Sequence, residues 1–185
     1  MSVVFTSCKD DDNDDGIDEA WKAENEAAFQ AKANDPDFTQ ISVPGAGEYY
    51  IYAKKLKEGN GLPIYYNSRV AVYYKGWYIN SKEGEYFDKR EFEDGAPAKF
   101  AVSNSSANYN QYSNPNGFSA PVLGWTIALQ NMVVGDRWEV WIPQQLAYGV
   151  GGWKEIPGNS TLIFEIEVVE RVAEVGTTSD SQTTL

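Results

Sequence analysis

The sequence predicts an α+β fold in which one short helix packs against a sheet, and three observations carry that expectation. The first is the stretch Val122-Leu123-Gly124-Trp125, which opens a short apolar helix. Gly124 is expected to let the backbone turn sharply into it, and Trp125, Leu129 and Met132, at spacings of four and three, share one face. The second is the strand after the stop at Gly135, where Trp138, Val140 and Ile142 alternate with Arg137, Glu139 and Trp141 until Pro143 ends the run. The third is length: a helix this short is marginal alone and must be held by a sheet. Trp125, in its first turn, is placed to floor whatever hollow that sheet leaves.

Residues 1–8 read Met-Ser-Val-Val-Phe-Thr-Ser-Cys, an apolar run, then small residues, then the chain's single cysteine. That order resembles the end of a bacterial lipoprotein signal, with Cys8 as the cleaved and lipidated residue and the true start of translation further upstream. Residues 9–16 continue it as an acidic tether, Lys9 followed by Asp10, Asp11, Asp12, Asn13, Asp14 and Asp15. Asp11, Asn13, Asp15 and Gly16 also fit the first half of a calcium loop, but Lys22 stands where the bidentate glutamate is required, so that reading fails.

Residues 17–47 are read as an N-terminal helix and linker. An amphipathic helix is expected over 17–34, with Ile17, Ala20, Trp21, Ala28 and Ala31 on one side, stopped by Asn34-Asp35-Pro36. From Glu48 to Val172 the chain is β-rich. Tyr49-Tyr50-Ile51-Tyr52 leads to a turn at Gly59-Asn60-Gly61, and Arg69 to Ile79 is a strand interrupted by Gly76. Glu83-Gly84-Glu85 is a hairpin turn before Tyr86-Phe87-Asp88, and Pro97-Ala98-Lys99-Phe100 precedes another short strand. Residues 103–119, dominated by Asn, Ser, Tyr and Gly, form a long loop, and Thr161 to Val169 is the last strand. The polar stretch 173–185 is expected to be an unstructured tail.

Composition narrows the chemistry. Of the net charge of −12, residues 9–37 carry −8, eleven acidic residues against three basic ones. The rest is mildly acidic with no basic stripe, which argues against nucleic acid as a partner. The chain has no histidine, which removes the usual general base, the usual zinc ligand and every histidine-activated nucleophile. Neither a metal cluster nor a cofactor motif is present, and no run of eighteen apolar residues exists.

What remains is a series of short motifs. Val72-Tyr73-Tyr74-Lys75-Gly76, Phe87-Asp88, Pro97-Ala98-Lys99-Phe100, Val122-Leu123-Gly124-Trp125, Met132-Val133-Val134-Gly135, Leu146-Ala147-Tyr148-Gly149, Ile156-Pro157 and Thr161-Leu162-Ile163-Phe164 follow one another. In identity, order and spacing they resemble the FKBP-type peptidyl-prolyl cis-trans isomerases, over roughly residues 58–170. The acidic start and the Trp21 helix are similar to FKBP lipoproteins of Bacteroidetes.

The resemblance implies a strongly bent antiparallel sheet wrapped around one short helix, here with an N-terminal helical extension. It also implies an apolar pocket between sheet and helix. Carried over by motif, the catalytic set is Tyr74, Phe87, Asp88, Trp125, Tyr148 and Phe164, with Phe100, Val122, Trp153 and Ile156 binding substrate. Trp125 is the implied floor, with the Val122 N–H and the Tyr148 hydroxyl holding substrate carbonyls. Implied partners are proline-containing polypeptides and, through lipid on Cys8, the outer membrane of the cell envelope; macrolide binding is the family's further property.

Three departures bear on substrate choice and on macrolides: Ala98 where the family often has an aromatic wall, Trp153 in a slightly shortened loop after Tyr148, and a lengthened loop between Phe100 and Val122. Two other readings compete with catalysis. One is a peptide-binding chaperone module on the same fold. The other is a surface glycan-binding protein using Tyr109, Tyr112, Trp77 and Trp153 as stacking platforms.

Overall fold

The computed structural model describes residues 19–103 and 118–172. Cys8, the acidic tether, Ile17, most of the 103–119 loop with Tyr109 and Tyr112, and the 173–185 tail therefore lie outside the described residues.

Seven strands form one antiparallel sheet: β1 (Thr39–Ile41), β2 (Ile51–Lys57), β3 (Arg69–Tyr78), β4 (Asp88–Arg90), β5 (Ala98–Ala101), β6 (Arg137–Ile142) and β7 (Leu162–Val172). Their order is β1-β2-β6-β7-β3-β4, and β5 pairs with the first half of β3 while β4 pairs with its second half. The longest pairing joins β3 to β7, from Arg69 opposite Val172 to Tyr78 opposite Leu162, with a register shift between Ala71 and Val72. Two helices complete the fold, α1 (Glu19–Ala31) and α2 (Leu123–Gln130).

Alternation along the strands decides what faces α2. Val70, Val72 and Tyr74 of β3, Trp138, Val140 and Ile142 of β6, and Leu162, Phe164, Ile166 and Val168 of β7 pack into one core with Ile127, Ala128 and Leu129 of α2. The opposite face carries paired charges: Lys75 lies 3.2 Å from Glu165, and Lys57 lies 2.8 Å from Glu167. The Lys57 pair is the more exposed of the two, so its contribution is small. The alternation expected for residues 137–142 is therefore present, and Pro143 follows its end.

Several expected details differ. α2 is buried on every side from Gly124 to Leu129, rather than along one face, and Met132 lies beyond its end. Gly124 sits inside the helix, where an added Cβ would collide with the Ile142 side chain, so close packing and not a turn requires glycine there. Gly76 does not break β3. A Cβ at that position would stand 2.5 Å from the Phe164 ring and 2.8 Å from the Phe87 ring, so the missing side chain makes room for two rings on one face. Residues 98–101 are themselves strand β5 rather than its lead-in, and the last strand runs on to Val172. The segment expected to be linker before residue 48 contains β1, which extends the sheet edge along β2.

Helix α1 packs on the domain with part of the expected face: Trp21 and Ala28 are partly buried, and Trp21 meets the Tyr78 ring. Ala20 and Ala31 are exposed, whereas Asn25 and Phe29 are buried. Phe29 packs against the rings of Tyr50 and Tyr52 at 5.7 and 5.0 Å. The buried Asn25 is tolerated because its side chain and backbone both bond to Thr161.

Candidate functional site

The bend of the sheet around α2 leaves a hollow of about 580 Å³ at the helix N-terminus. Trp125 is its floor, 3% exposed, because the first turn of α2 points its side chain back against the sheet. Aromatic rings stand edge-on or tilted to the indole on three sides: Tyr74 of β3 at 5.2 Å, Phe100 of β5 at 4.9 Å and Phe164 of β7 at 5.2 Å. Phe87, just before β4, meets Phe164 edge-on at 5.5 Å and extends that wall. The Trp125 indole N–H is buried without an acceptor among the described residues, a cost of about 1–3 kcal/mol. The floor is thus kept at some expense to stability.

The polar side chains that line the hollow are Tyr74, Asp88, Ser119 and Tyr148. Register places Tyr74 opposite Arg90, so Asp88 is its diagonal neighbour on the same face. The Tyr74 hydroxyl donates to Asp88 Oδ2 at 2.8 Å. Burial, and then this bond to a carboxylate, push the Tyr74 phenol well above its ordinary range. Tyr148 lies across the hollow, after a 3-10 turn at Gln144–Leu146. Burial, and next the charge of Asp88, raise its pKa as well, so both phenols stay protonated at neutral pH. Asp88 thus finds its hydrogen-bond partner in Tyr74.

The start of α2 supplies the remaining donors. The helix is capped by Val122, whose side chain cannot accept a hydrogen bond, and no side chain caps its first turn. The Trp125 N–H turns back to Val122 O at 3.0 Å, and the N–H groups before it stand at the positive end of the helix. A serine or aspartate cap would have consumed one of them.

Eight of the ten pocket residues carried by motif (Tyr74, Phe87, Asp88, Phe100, Val122, Trp125, Tyr148 and Phe164) line this one space. Trp153 and Ile156 do not. Trp153 is 55% exposed and stacks on Tyr148 at 6.2 Å, outside the lining, whereas Ile156 is 7% exposed and belongs to the core. The two are joined by an antiparallel bridge that turns one ring outward and the other side chain in. Ala98 is not part of the lining either. Ser119, Ala120, Pro121, Leu123 and Ala147 line the hollow without having been singled out. Their signal was position: the loop leaves at Phe100 and returns at Val122, and its described ends are tied together by Ala101 N–H to Ser119 O at 3.0 Å. Trp77 packs on Tyr86 at 6.0 Å on the face of β3 opposite Tyr74, so it does not share a platform with Trp153. Among the described residues no cluster of acidic or thiol side chains could hold a metal.

A bent antiparallel sheet around one short helix, with an aromatic hollow at that helix's N-terminus, defines the class of protein. Residues 64–169 match the family model of the FKBP-type peptidyl-prolyl cis-trans isomerases, and the chain belongs to that family. Among its relatives, the FKBP-type 22 kDa peptidyl-prolyl cis-trans isomerase of Escherichia coli K12 is 38% identical over 116 residues, covering 62% of this chain and 47% of that protein. The outer membrane protein MIP of Legionella longbeachae is 34% identical over 151 residues, covering 80% of this chain and 53% of that protein. A crystal structure of a peptidyl-prolyl cis-trans isomerase from Pseudomonas syringae pv. tomato superposes with a TM-score of 0.53 at 28% identity, covering 79% of this chain and 94% of that one. The chain spans about half the length of these two sequence relatives.

Proposed function

We propose that this protein is a peptidyl-prolyl cis-trans isomerase that accelerates slow proline steps in the folding of cell-envelope or secreted polypeptides. The observation that carries this reading is the hollow itself: an indole floor walled by aromatic rings, with polar groups set around it, in a chain without histidine. Rotation about an Xaa-Pro bond is limited by loss of amide resonance, a barrier of about 18–20 kcal/mol. The planar imide is more charge-separated than the twisted one, so an apolar site favours the twisted form over the planar one. That is differential binding of the transition state and transfers no proton.

In this reading the proline ring lies on Trp125, and Phe100, Phe164 and Tyr74 exclude water from it. The Val122 N–H and the Tyr148 hydroxyl hold flanking carbonyls, while Asp88 fixes the Tyr74 ring through its hydroxyl. The broad hollow, with Ala98 contributing nothing to it, suits varied peptides better than one rigid macrolide. A protease-coupled assay on Xaa-Pro tetrapeptides tests the proposal. Faster cis-to-trans conversion with the folded protein is the expected result; a rate equal to the uncatalysed one overturns it.

Anchoring to the envelope by lipid on Cys8 is part of the same proposal, supported by the order of apolar run, cysteine and acidic tether. Stable attachment needs more than one acyl chain, each buried methylene contributing about 0.8 kcal/mol. Expressed behind a lipoprotein signal, the Cys8→Ser protein should leave the membrane fraction; its retention there would refute the anchor.

A further inference from the structure

Helix α1 is bonded to the loop that follows Tyr148, more than 130 residues away in sequence. Trp21 Nε1 donates to Gly158 O at 3.1 Å and to Ser160 Oγ at 3.3 Å. One turn on, Asn25 Oδ1 accepts from the Thr161 N–H at 2.7 Å, and the Thr161 hydroxyl donates to Asn25 O at 3.1 Å. Asn25, Ser160 and Thr161 are all buried, so these bonds cannot be exchanged freely for water.

Within the loop they grip, Ile156 reaches the core and the Ser160 hydroxyl donates to Pro157 O at 2.7 Å. Trp153 and Ile156 exchange two backbone bonds, at 3.0 and 2.8 Å, and the Asn159 N–H reaches Gly149 O at 2.9 Å. Lys154 and Asn159 both have positive φ, +50° and +59°, a conformation that asparagine accepts more readily than lysine. This loop starts at Tyr148, and its Trp153 stacks on the Tyr148 ring.

Trp21 also reaches the other side of the hollow. Its ring meets Tyr78 edge-on at 6.2 Å, and Tyr78 stacks on Phe87 at 5.8 Å with the planes 10° apart. Phe87 in turn packs on Phe164. One turn further along α1, Glu24 accepts a bond from Asn80 at 3.2 Å, in the loop between Tyr78 and Phe87. One side chain therefore backs two walls of the hollow, Tyr148 on one side and Phe87 on the other.

The geometry points to Trp21 as a positioning residue for prolyl isomerisation, an inference that rests on the isomerase reading above. Its indole N–H fixes the loop behind Tyr148, and its ring fixes Tyr78 behind Phe87. The N-terminal helix is then part of the catalytic architecture, although it touches no substrate.

The test compares Trp21→Phe, which keeps a ring against Tyr78 and loses the N–H, with Trp21→Ala, which loses both. Ile51→Val in β2 serves as a control that thins the core away from the hollow. Each variant is read by kcat/KM on Xaa-Pro peptides, by thermal midpoint and by residue-resolved amide exchange. Loss of one such bond corresponds to about tenfold, so Trp21→Phe should lower kcat/KM and speed exchange at Trp153, Ile156 and Asn159 by roughly that factor. Exchange at Val140 and Phe164 should not change, and Trp21→Ala should lose more activity.

The inference is overturned by full kcat/KM in folded Trp21→Ala, by exchange that rises evenly over the whole sheet, or by an equal loss of activity in Ile51→Val at a matched fall in midpoint. If Trp21→Ala does not fold, Trp21→Phe decides. If the unmodified protein shows no isomerase activity, the functional reading fails instead. Affinity for a proline peptide and loop exchange then decide on positioning: weaker affinity with faster loop exchange in Trp21→Phe supports it, and no change in either overturns it.

Discussion

Tyr74 and Tyr148 face the same hollow with different work for their hydroxyls. The Tyr74 hydroxyl is committed to Asp88, whereas that of Tyr148 has no partner among the described residues and is free for a substrate carbonyl. Tyr148→Phe should therefore lower kcat/KM by about tenfold or less, the value of one ordinary hydrogen bond, and leave the thermal midpoint nearly unchanged. A loss of several orders of magnitude would mean that Tyr148 does more than hold a carbonyl. Trp125 is a different case, because it is both floor and core. Trp125→Ala opens a cavity under Tyr74, Phe100 and Phe164 and should reduce stability by about 3–5 kcal/mol, together with most of the activity. Denaturant melts and rates measured on the same folded sample separate the two losses. Since neither phenol ionises near neutrality and no histidine is present, kcat/KM should be flat from about pH 6 to 8.5; a bell-shaped profile would show that a titrating group takes part in the reaction.

Strand β3 shows how one position can serve an element and the site together. Its inward row runs Val70, Val72, Tyr74, Gly76, Tyr78, and the gap at Gly76 is filled by the rings of Phe87 and Phe164. Gly76→Ala leaves the backbone conformation accessible but pushes both rings, and overpacking of this kind costs about 1–3 kcal/mol. Because those rings are walls of the hollow, activity should fall beyond what the lower stability explains, as steady-state rates well below the melting range will show. The sequence made this strand visible through its Val and Tyr content, yet pointed to Gly76 as an interruption. Nothing in a linear pattern says that rings from residues 87 and 164 will occupy the space. The same blindness applies to Gly124, where Ile142 is the reason, and to α1, where a buried asparagine and Phe29 outrank two alanines of the expected face. Conversely, the strand 137–142 was legible because one face is buried and the other solvated, a local rule that needs no knowledge of partners. The hollow's lining was legible for a related reason: most of its residues sit inside short motifs. Trp153 and Ile156 were misplaced because only their bridged turn decides which one points outward.

Over the whole molecule, the groups with shifted titration predict how stability changes with pH. Tyr52, Tyr74 and Tyr148 all have pKa values raised above the ordinary 10.0, burial being the first cause in each. Unfolding exposes these phenols and returns them to ordinary values. Below pH 10 they are protonated in both states and stability does not depend on them. Above it the unfolded chain loses protons first, so stability falls from about pH 10 upward until the folded values are reached. Lys54, raised through its bond to Asp37, loses its contribution in the same direction, but it is exposed and screened. On the acid side, among the described residues only Asp35 is held below its ordinary value, chiefly by the Asp37 N–H, and it too is exposed. Its contribution is present above the usual carboxylate range and is lost as pH falls through it. The thermal midpoint should therefore be level from about pH 5 to 9, drop gently in acid and steeply above pH 10. Tyr74→Phe deletes one of the three buried phenols and should make the alkaline limb shallower while leaving the acid limb unchanged. Melting curves of both proteins at matched ionic strength decide it: identical alkaline slopes would show that the Tyr74 phenol is not held back by its surroundings in the fold.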